Sequence, residues 1–213
     1  MNILIACEES QAVCKAMRRN GHNAFSCDLQ ECSGGHPEWH IHGDVLSLID
    51  GDCTFTTCDG KSHTIHGQWD MLIAHPPCTY LSNCGNRWLY PNGKLNEERY
   101  AKGMEAREFF MKFINAKCDR IVVENPTPSG IYDMPKHTQA VQPYEFGHPW
   151  SKRTLLWLKG LPSLKPTEYV AEHEPWMPTK NHKGCSRVGG SSRARSRTFE
   201  GIANAMAAQW AAA

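Results

Sequence analysis

No hydrophobic run in this sequence approaches the roughly 20 residues that a membrane-crossing helix needs. The first run, residues 3–6, breaks at once into Cys7-Glu8-Glu9, which is too short for the apolar core of a secretory leader. An excess of charge is also lacking: 23 Lys and Arg stand against 22 Asp and Glu, a net charge of +1. A global pull towards nucleic acid or membrane is therefore excluded, and any such pull must be local. Glycine is missing from the first strand–helix turn, Cys7-Glu8-Glu9-Ser10-Gln11. That excludes a phosphate cradle, because two carboxylates would repel a pyrophosphate. Cysteine, by contrast, is plentiful, with ten residues. Without a leader these read as free thiols of a reduced, cytoplasmic protein, not as a disulfide framework. Cys27, Cys32, His36, His40 and His42 form a Cys/His-rich patch, but their spacing fits no common zinc signature and no metal is expected.

The 213 residues suffice for one α/β domain with a sizeable core. Residues 3–6 predict a buried strand, 9–20 a helix with Val13, Ala16 and Met17 on one face, and 23–27 a second strand ending at Asp28. This is a βαβ unit with an acid at the tip of its second strand. In nucleotide-binding α/β domains an acid so placed takes ribose hydroxyls. With the glycine-free turn, a cofactor with a ribose but no phosphate is compatible, and S-adenosylmethionine is one. Asp28 reads equally as an ordinary strand-end acid. A third strand end carries Asp44. Residues 53–66, with Asp59-Gly60 at their centre, predict a β-hairpin inserted over 51–68 before the central strand.

The sequence turns on Trp69-Asp-Met-Leu-Ile-Ala-His-Pro-Pro-Cys78. A short apolar strand, 71–74, must stop at Pro76 and Pro77, which cannot donate to a sheet ladder. Cys78 then stands at the carboxyl end of a buried strand, where open α/β sheets bind ligands. A buried cysteine in a proline turn is the plainer reading, since free cysteine often acts as a small hydrophobe. Residues 86–100 read as a polar loop long enough to be a lid, 97–115 as a helix and 120–124 as a strand ending in Glu124-Asn125-Pro126. Residues 138–146 predict a further strand, and residues 150–154 lead into the apolar run 155–158. The region 161–197 reads as irregular and basic. Lys180, Lys183, Arg187, Arg193, Arg195 and Arg197 there form either a solvated linker or a phosphate-binding loop. Residues 199–213 predict a closing helix. The whole, 1–213, reads as a single domain.

Four strand tips thus carry Cys78, Glu124, Asp28 and Asp44, and in this order the sequence resembles the DNA (cytosine-5)-methyltransferases. Their Pro-Pro-Cys-Gln-x-Phe-Ser-x-x-Gly signature is similar to Pro76-Pro77-Cys78-Thr79-Tyr80-Leu81-Ser82-Asn83-Cys84-Gly85. Their Glu-Asn-Val is similar to Glu124-Asn125-Pro126, their Gly-Asp-Ile to Gly43-Asp44-Val45, and their closing Gly-Asn-Ser to Gly201-Ile-Ala-Asn204-Ala. Gln-x-Arg-x-Arg is matched only loosely by Trp150-Ser-Lys152-Arg153-Thr154. The opening Ala6-Cys-Glu-Glu-Ser-Gln11 resembles short phage and prophage members. The large target-recognition domain and the family's Gly-rich cofactor loop are both missing.

The resemblance implies a Rossmann-like, S-adenosylmethionine-dependent methyltransferase fold. Its activity would be methyl transfer to cytosine C5 in DNA, duplex with the base flipped out or single-stranded, as in protection from restriction. Cys78 would attack C6. Glu124, its pKa raised by burial, would serve N3, and Lys152 or Arg153 would face O2. Ala6, Glu8, Ser10, Asp28, Leu29, Asp44, Val45, His75, Pro76 and Asn204 would hold the cofactor. Ser82, Asn125, Lys183, Arg187, Arg193, Arg195 and Arg197 would contact the substrate. A catalytically silent nucleic-acid-binding module on the same fold, or C5 modification of RNA, a modified pyrimidine or a nucleotide, are the competing readings.

Overall fold

A computed structural model describes residues 1–175 and 196–211. Strands β1 (Asn2–Ala6), β2 (Asn23–Asp28), β3 (His40–His42), β6 (Met71–Ala74), β7 (Ile121–Asn125), β8 (Gln139–Val141) and β10 (Thr154–Lys159) form one sheet. Its order is β3-β2-β1-β6-β7-β10-β8. The first five strands in that order are mutually parallel, and β10 runs antiparallel to both neighbours. The chain leaves β1 towards β2 and β3 and returns to β6 on the other side of β1. The crevice between β1 and β6 is thus the switch point of a Rossmann-like sheet, outside the carboxyl ends of the strands.

The central strands are apolar on both faces because both faces are covered. Leu4, Phe25, Leu72, Val123 and Trp157 point to one side, where helix α3 (Glu97–Ile114) brings Phe110 and Phe113. The hairpin of β4 (Cys53–Thr56) and β5 (Ser62–Ile65) adds Phe55 and Ile65 to the same layer. Ile3, Ile5, Met71, Ile73 and Val122 point to the other side, against α1 (Ala12–Arg19) and α4 (Glu200–Trp210). Alternation with period two places successive residues of each strand in opposite cores. Among the described residues, no helix is long and apolar enough to cross a membrane.

Several elements differ from the sequence expectation. Helix α1 starts at Ala12, not at residue 9, because Cys7 and Gln11 adopt left-handed backbone, at φ 59° and 58°. The expected lid over 86–100 is not one loop: α2 (Asn86–Leu89) and a tight turn at Pro91–Gly93 lie in it. The strand expected over 138–146 is only β8, since Pro143 opens a one-turn helix that Gln142 and Glu145 cap reciprocally. Two-residue strands β9 (Trp150–Ser151) and β11 (Glu174–Pro175) pair apart from the main sheet.

Candidate active site

The carboxyl ends of β1, β2, β3, β6 and β7 share one edge, and the candidate residues lie along it. His75-Pro76-Pro77-Cys78 leaves β6 beside the end of β1. The His75 amide donates to the Ala6 carbonyl at 2.9 Å, extending the sheet by one bond. The Asn125 side-chain Nδ2 reaches over from β7 and donates to the Pro76 carbonyl at 2.8 Å. Beyond Cys78 the chain turns back, with Leu81 and Ser82 amides both bonded to the Cys78 carbonyl. Asn83 and Ser129 amides then tie this turn to the loop after β7. The cysteine is therefore held from both strands, half-buried.

His75 and Glu124 form an ion pair at this point, Nδ1 to Oε2 at 3.1 Å, with side chains 8% and 17% exposed. Burial opposes charge on both. For Glu124 it is outweighed by the hydrogen bond from His75 and the positive charges of His75 and Lys152, so its carboxyl lies below the usual range. For His75 burial is outweighed by the same bond and by the charges of Glu124 and Glu8, which hold the imidazolium above its usual range. This corrects the expectation of a carboxyl raised by burial: both shifts favour the imidazolium–carboxylate form of the pair. His75 Nε2 is buried and has no partner among the described residues.

The Cys78 thiol is pushed up by burial and by Glu124, while Lys152 pulls it down. In this state it is a protonated thiol. Of the two cations proposed from the sequence, Lys152 is the one whose field reaches Cys78, Glu124 and His75. Arg153 is exposed and donates to Thr127 Oγ1 at 3.0 Å.

The glycine-free turn is built inward. Glu8 is 4% exposed, and its two carboxylate oxygens accept from the amides of Val13 at 2.7 Å and Cys14 at 3.1 Å. A carboxylate thus fills the helix N-terminus where a phosphate would otherwise sit. Burial holds the Glu8 carboxyl above its usual range, opposed by His75 and by those two amides. Both carboxylate oxygens of Glu8, one of the residues expected at the cofactor, are thus engaged in capping α1. Gln11, fully buried, is the centre of the Cys/His-rich patch. Its amide nitrogen donates to the His36 carbonyl, and its oxygen accepts from the His36 amide and the Cys32 thiol. No cluster suited to a metal occurs among the described residues.

Asp28 ends β2, and Asp44 follows β3. Each uses Oδ1 to accept an amide two residues on, from Gln30 at 2.8 Å and from Leu46 at 3.0 Å. Both carboxylates act on the Cys7 thiol, which burial and then Asp28, Cys27 and Asp44 push upward. Leu29, beside Asp28, is 74% exposed, a large apolar side chain at a strand tip. Carboxylates and an apolar surface with no phosphate cradle fit a cationic, phosphate-free nucleoside cofactor.

The other expected site residues divide. Ala6 and Pro76 are buried and contribute carbonyls to the turn just described, while Val45 is buried in the core. Ser10 is nearly buried next to the α1 cap. Ser82 Oγ accepts from the Cys84 amide and caps a turn. Asn125 is 2% exposed and positions Pro76, so its amide does not face an open site. Asn204 is on α4 and accepts from Arg19 at 3.1 Å, in the α1–α4 layer. Arg197 donates to Ser33 Oγ at 3.0 Å. Lys180, Lys183, Arg187, Arg193 and Arg195 lie outside the described residues. The sequence reading missed the His75–Glu124 pair and the Gln11 hub. The signal for the first was a histidine directly before the proline pair.

No protein-family model matches the sequence, and no curated protein does. Among solved structures, the fold is similar to the Entamoeba histolytica methyltransferase EhMeth, with a TM-score of 0.42 and 12% identity over 80% of this chain. It is also similar to a variant of Spodoptera frugiperda DNMT2, with a TM-score of 0.35 and 14% identity over 84% of this chain. The chain spans little more than half the length of these two, 57% and 55% respectively.

Proposed function

We propose that this protein is an S-adenosylmethionine-dependent DNA cytosine C5 methyltransferase of the short, phage-like kind, with Cys78 as nucleophile. The observation that carries the reading is the convergence of Cys78, the His75–Glu124 pair and Lys152 at the switch point. Asp28, Asp44 and Leu29 at the neighbouring strand tips support the cofactor assignment.

Cytosine C5 is too weak a nucleophile to take a methyl group unaided. Cys78 Sγ bonds to C6 while the ring's π pair moves towards C5 and N3. The thiol proton passes to the Glu124 carboxylate as the His75–Glu124 pair delivers a proton to N3, so the pair ends with the protons it began with. Lys152 stabilises the charge that develops around the ring. S-adenosylmethionine, when bound, supplies the electrophilic methyl. Loss of the C5 proton to solvent then restores the C5–C6 double bond as the Cys78 sulfur leaves with the C6 bond pair, and the N3 proton returns through the His75–Glu124 pair to the departing sulfur, which leaves a neutral base and the thiol. Because C5 and C6 are hidden in a duplex, the base must be flipped out or arrive unpaired.

The glycine-free first turn, filled by the Glu8 carboxylate, and the raised Cys78 thiol favour a silent binding module on the same fold. Nucleoside mass spectrometry of DNA from cells expressing the protein separates the two. 5-Methylcytosine that is absent with Cys78→Ala supports the enzyme. Equal levels with wild type and with Cys78→Ala would contradict it.

A further inference from the structure

Directly beyond Cys78 the surface opens into a cleft of about 380 Å³ between the turn, α2 and the start of α3. Tyr80, Arg87, Trp88, Arg99 and Lys102 line it, with Glu98 as the one carboxylate. Glu98 is committed to Lys102 at 2.5 Å, one helical turn away. The Arg87 guanidinium stacks 3.8 Å from the Trp88 ring, and that of Arg99 lies 5.0 Å from Tyr80 and 5.6 Å from Trp88. Trp88 is nonetheless 51% exposed, which is unusual for so large an apolar side chain. Arg99 also donates to the Thr79 carbonyl at 2.8 Å, so the cleft is fastened to the residue after Cys78. Tyr80 is two residues, about 7 Å of chain, from the thiol.

Cations interleaved with accessible aromatic rings offer stacking to a base and charge to its phosphates, with no requirement for a particular sequence. An apolar peptide would find three cations and little continuous apolar surface. We propose that this cleft binds an unpaired nucleotide of the substrate strand. Its base stacks on Trp88 and Tyr80, and its phosphates meet Arg87, Arg99 and Lys102. That this nucleotide adjoins the one presented to Cys78 rests on the methyltransferase reading; that the cleft holds a strand does not.

The test is fluorescence anisotropy of the full-length protein with a labelled 12-nucleotide single-stranded DNA lacking cytosine, across a range of salt. Trp88→Ala should weaken binding roughly ten-fold with the salt slope unchanged, since stacking contributes about 1–3 kcal/mol per base. Trp88→Phe should recover most of that loss. The double variant Arg87→Ala, Lys102→Ala should flatten the slope by about 1.4, for two single-strand phosphate contacts. Absence of binding by the wild type, unchanged affinity in Trp88→Ala, or equal competition by polyglutamate would each overturn the cleft. Trapping of wild-type protein on 5-fluorocytosine DNA is run alongside to keep the two claims apart. Trapping with Trp88-independent binding removes the cleft and leaves the methyltransferase, whereas Trp88-dependent binding without trapping supports the cleft and removes the methyltransferase.

Discussion

His75 and Glu124 change the chemistry that Cys78 alone would suggest. Glu124 and Glu8 face the imidazole as acids, and Lys152 opposes it as a cation. With His75 raised, its contribution to stability is complete below the unfolded value near 6.5 and is lost as pH rises through the folded value. With Glu124 lowered, its contribution is complete above the unfolded value near 4.5 and is lost as pH falls through the folded value. The pair therefore stabilises most between about pH 5 and 6.5. Urea midpoints of wild type and His75→Gln, measured from pH 4 to 9, should differ most in that window, and a difference independent of pH would dissolve the ion pair. The thiol gives a second prediction. Cys78 alkylation, followed by peptide mass spectrometry, should require a pH above the ordinary thiol range of about 8.5. Lys152→Met should push the midpoint higher still, because Lys152 is the positive charge that lowers it. A midpoint that does not move would take Lys152 out of the site.

Strands and the long helix were legible in the sequence because they are periodic and punctuated. Residues 71–74 are apolar throughout and stop at prolines, and β7 stops at Pro126 in the same way. Less legible was anything made by a pairing distant in sequence. His75 and Glu124 are 49 positions apart, and so are Asn125 and Pro76. Gln11 and His36 meet across 25. No local pattern encodes such contacts, so the inward capping of the short turn by Glu8 was not legible. Helix α4 illustrates the same point. Gly201 is helical and would ordinarily gain about 1 kcal/mol on replacement by alanine. Here a methyl group would lie 1.9 Å from the Phe146 carbonyl oxygen, a backbone atom with little freedom to move. Gly201→Ala should therefore destabilise the protein by roughly 1–3 kcal/mol. A urea midpoint at or above wild type would show that α4 can shift without loss.

Across the molecule as a whole, one sheet edge gathers the Cys78 thiol, the His75–Glu124 pair, Lys152 and the strand-tip carboxylates of Asp28 and Asp44. Topology explains why sequence order was informative: parallel strands put every carboxyl end on the same side, so acids and cysteine at strand tips had to converge. The cofactor half of the edge predicts that Asp28→Ala weakens S-adenosylmethionine binding by about 1.5–3 kcal/mol, as for a charge-assisted hydrogen bond. Isothermal titration reads this directly, and unchanged affinity would put the ribose elsewhere. The central claim, covalent attack by Cys78, has one decisive measurement: incubation with S-adenosylmethionine and an oligonucleotide carrying 5-fluorocytosine, followed by denaturing electrophoresis. Fluorine at C5 cannot leave as a cation, so the last elimination is blocked and the adduct persists. Covalent attack by Cys78 should give a denaturation-resistant complex that requires the cofactor, survives in Cys84→Ala, is slowed by orders of magnitude in Glu124→Gln and is absent in Cys78→Ala. A complex that persists in Cys78→Ala, or none from wild type with cofactor and oligonucleotide both bound, would contradict it.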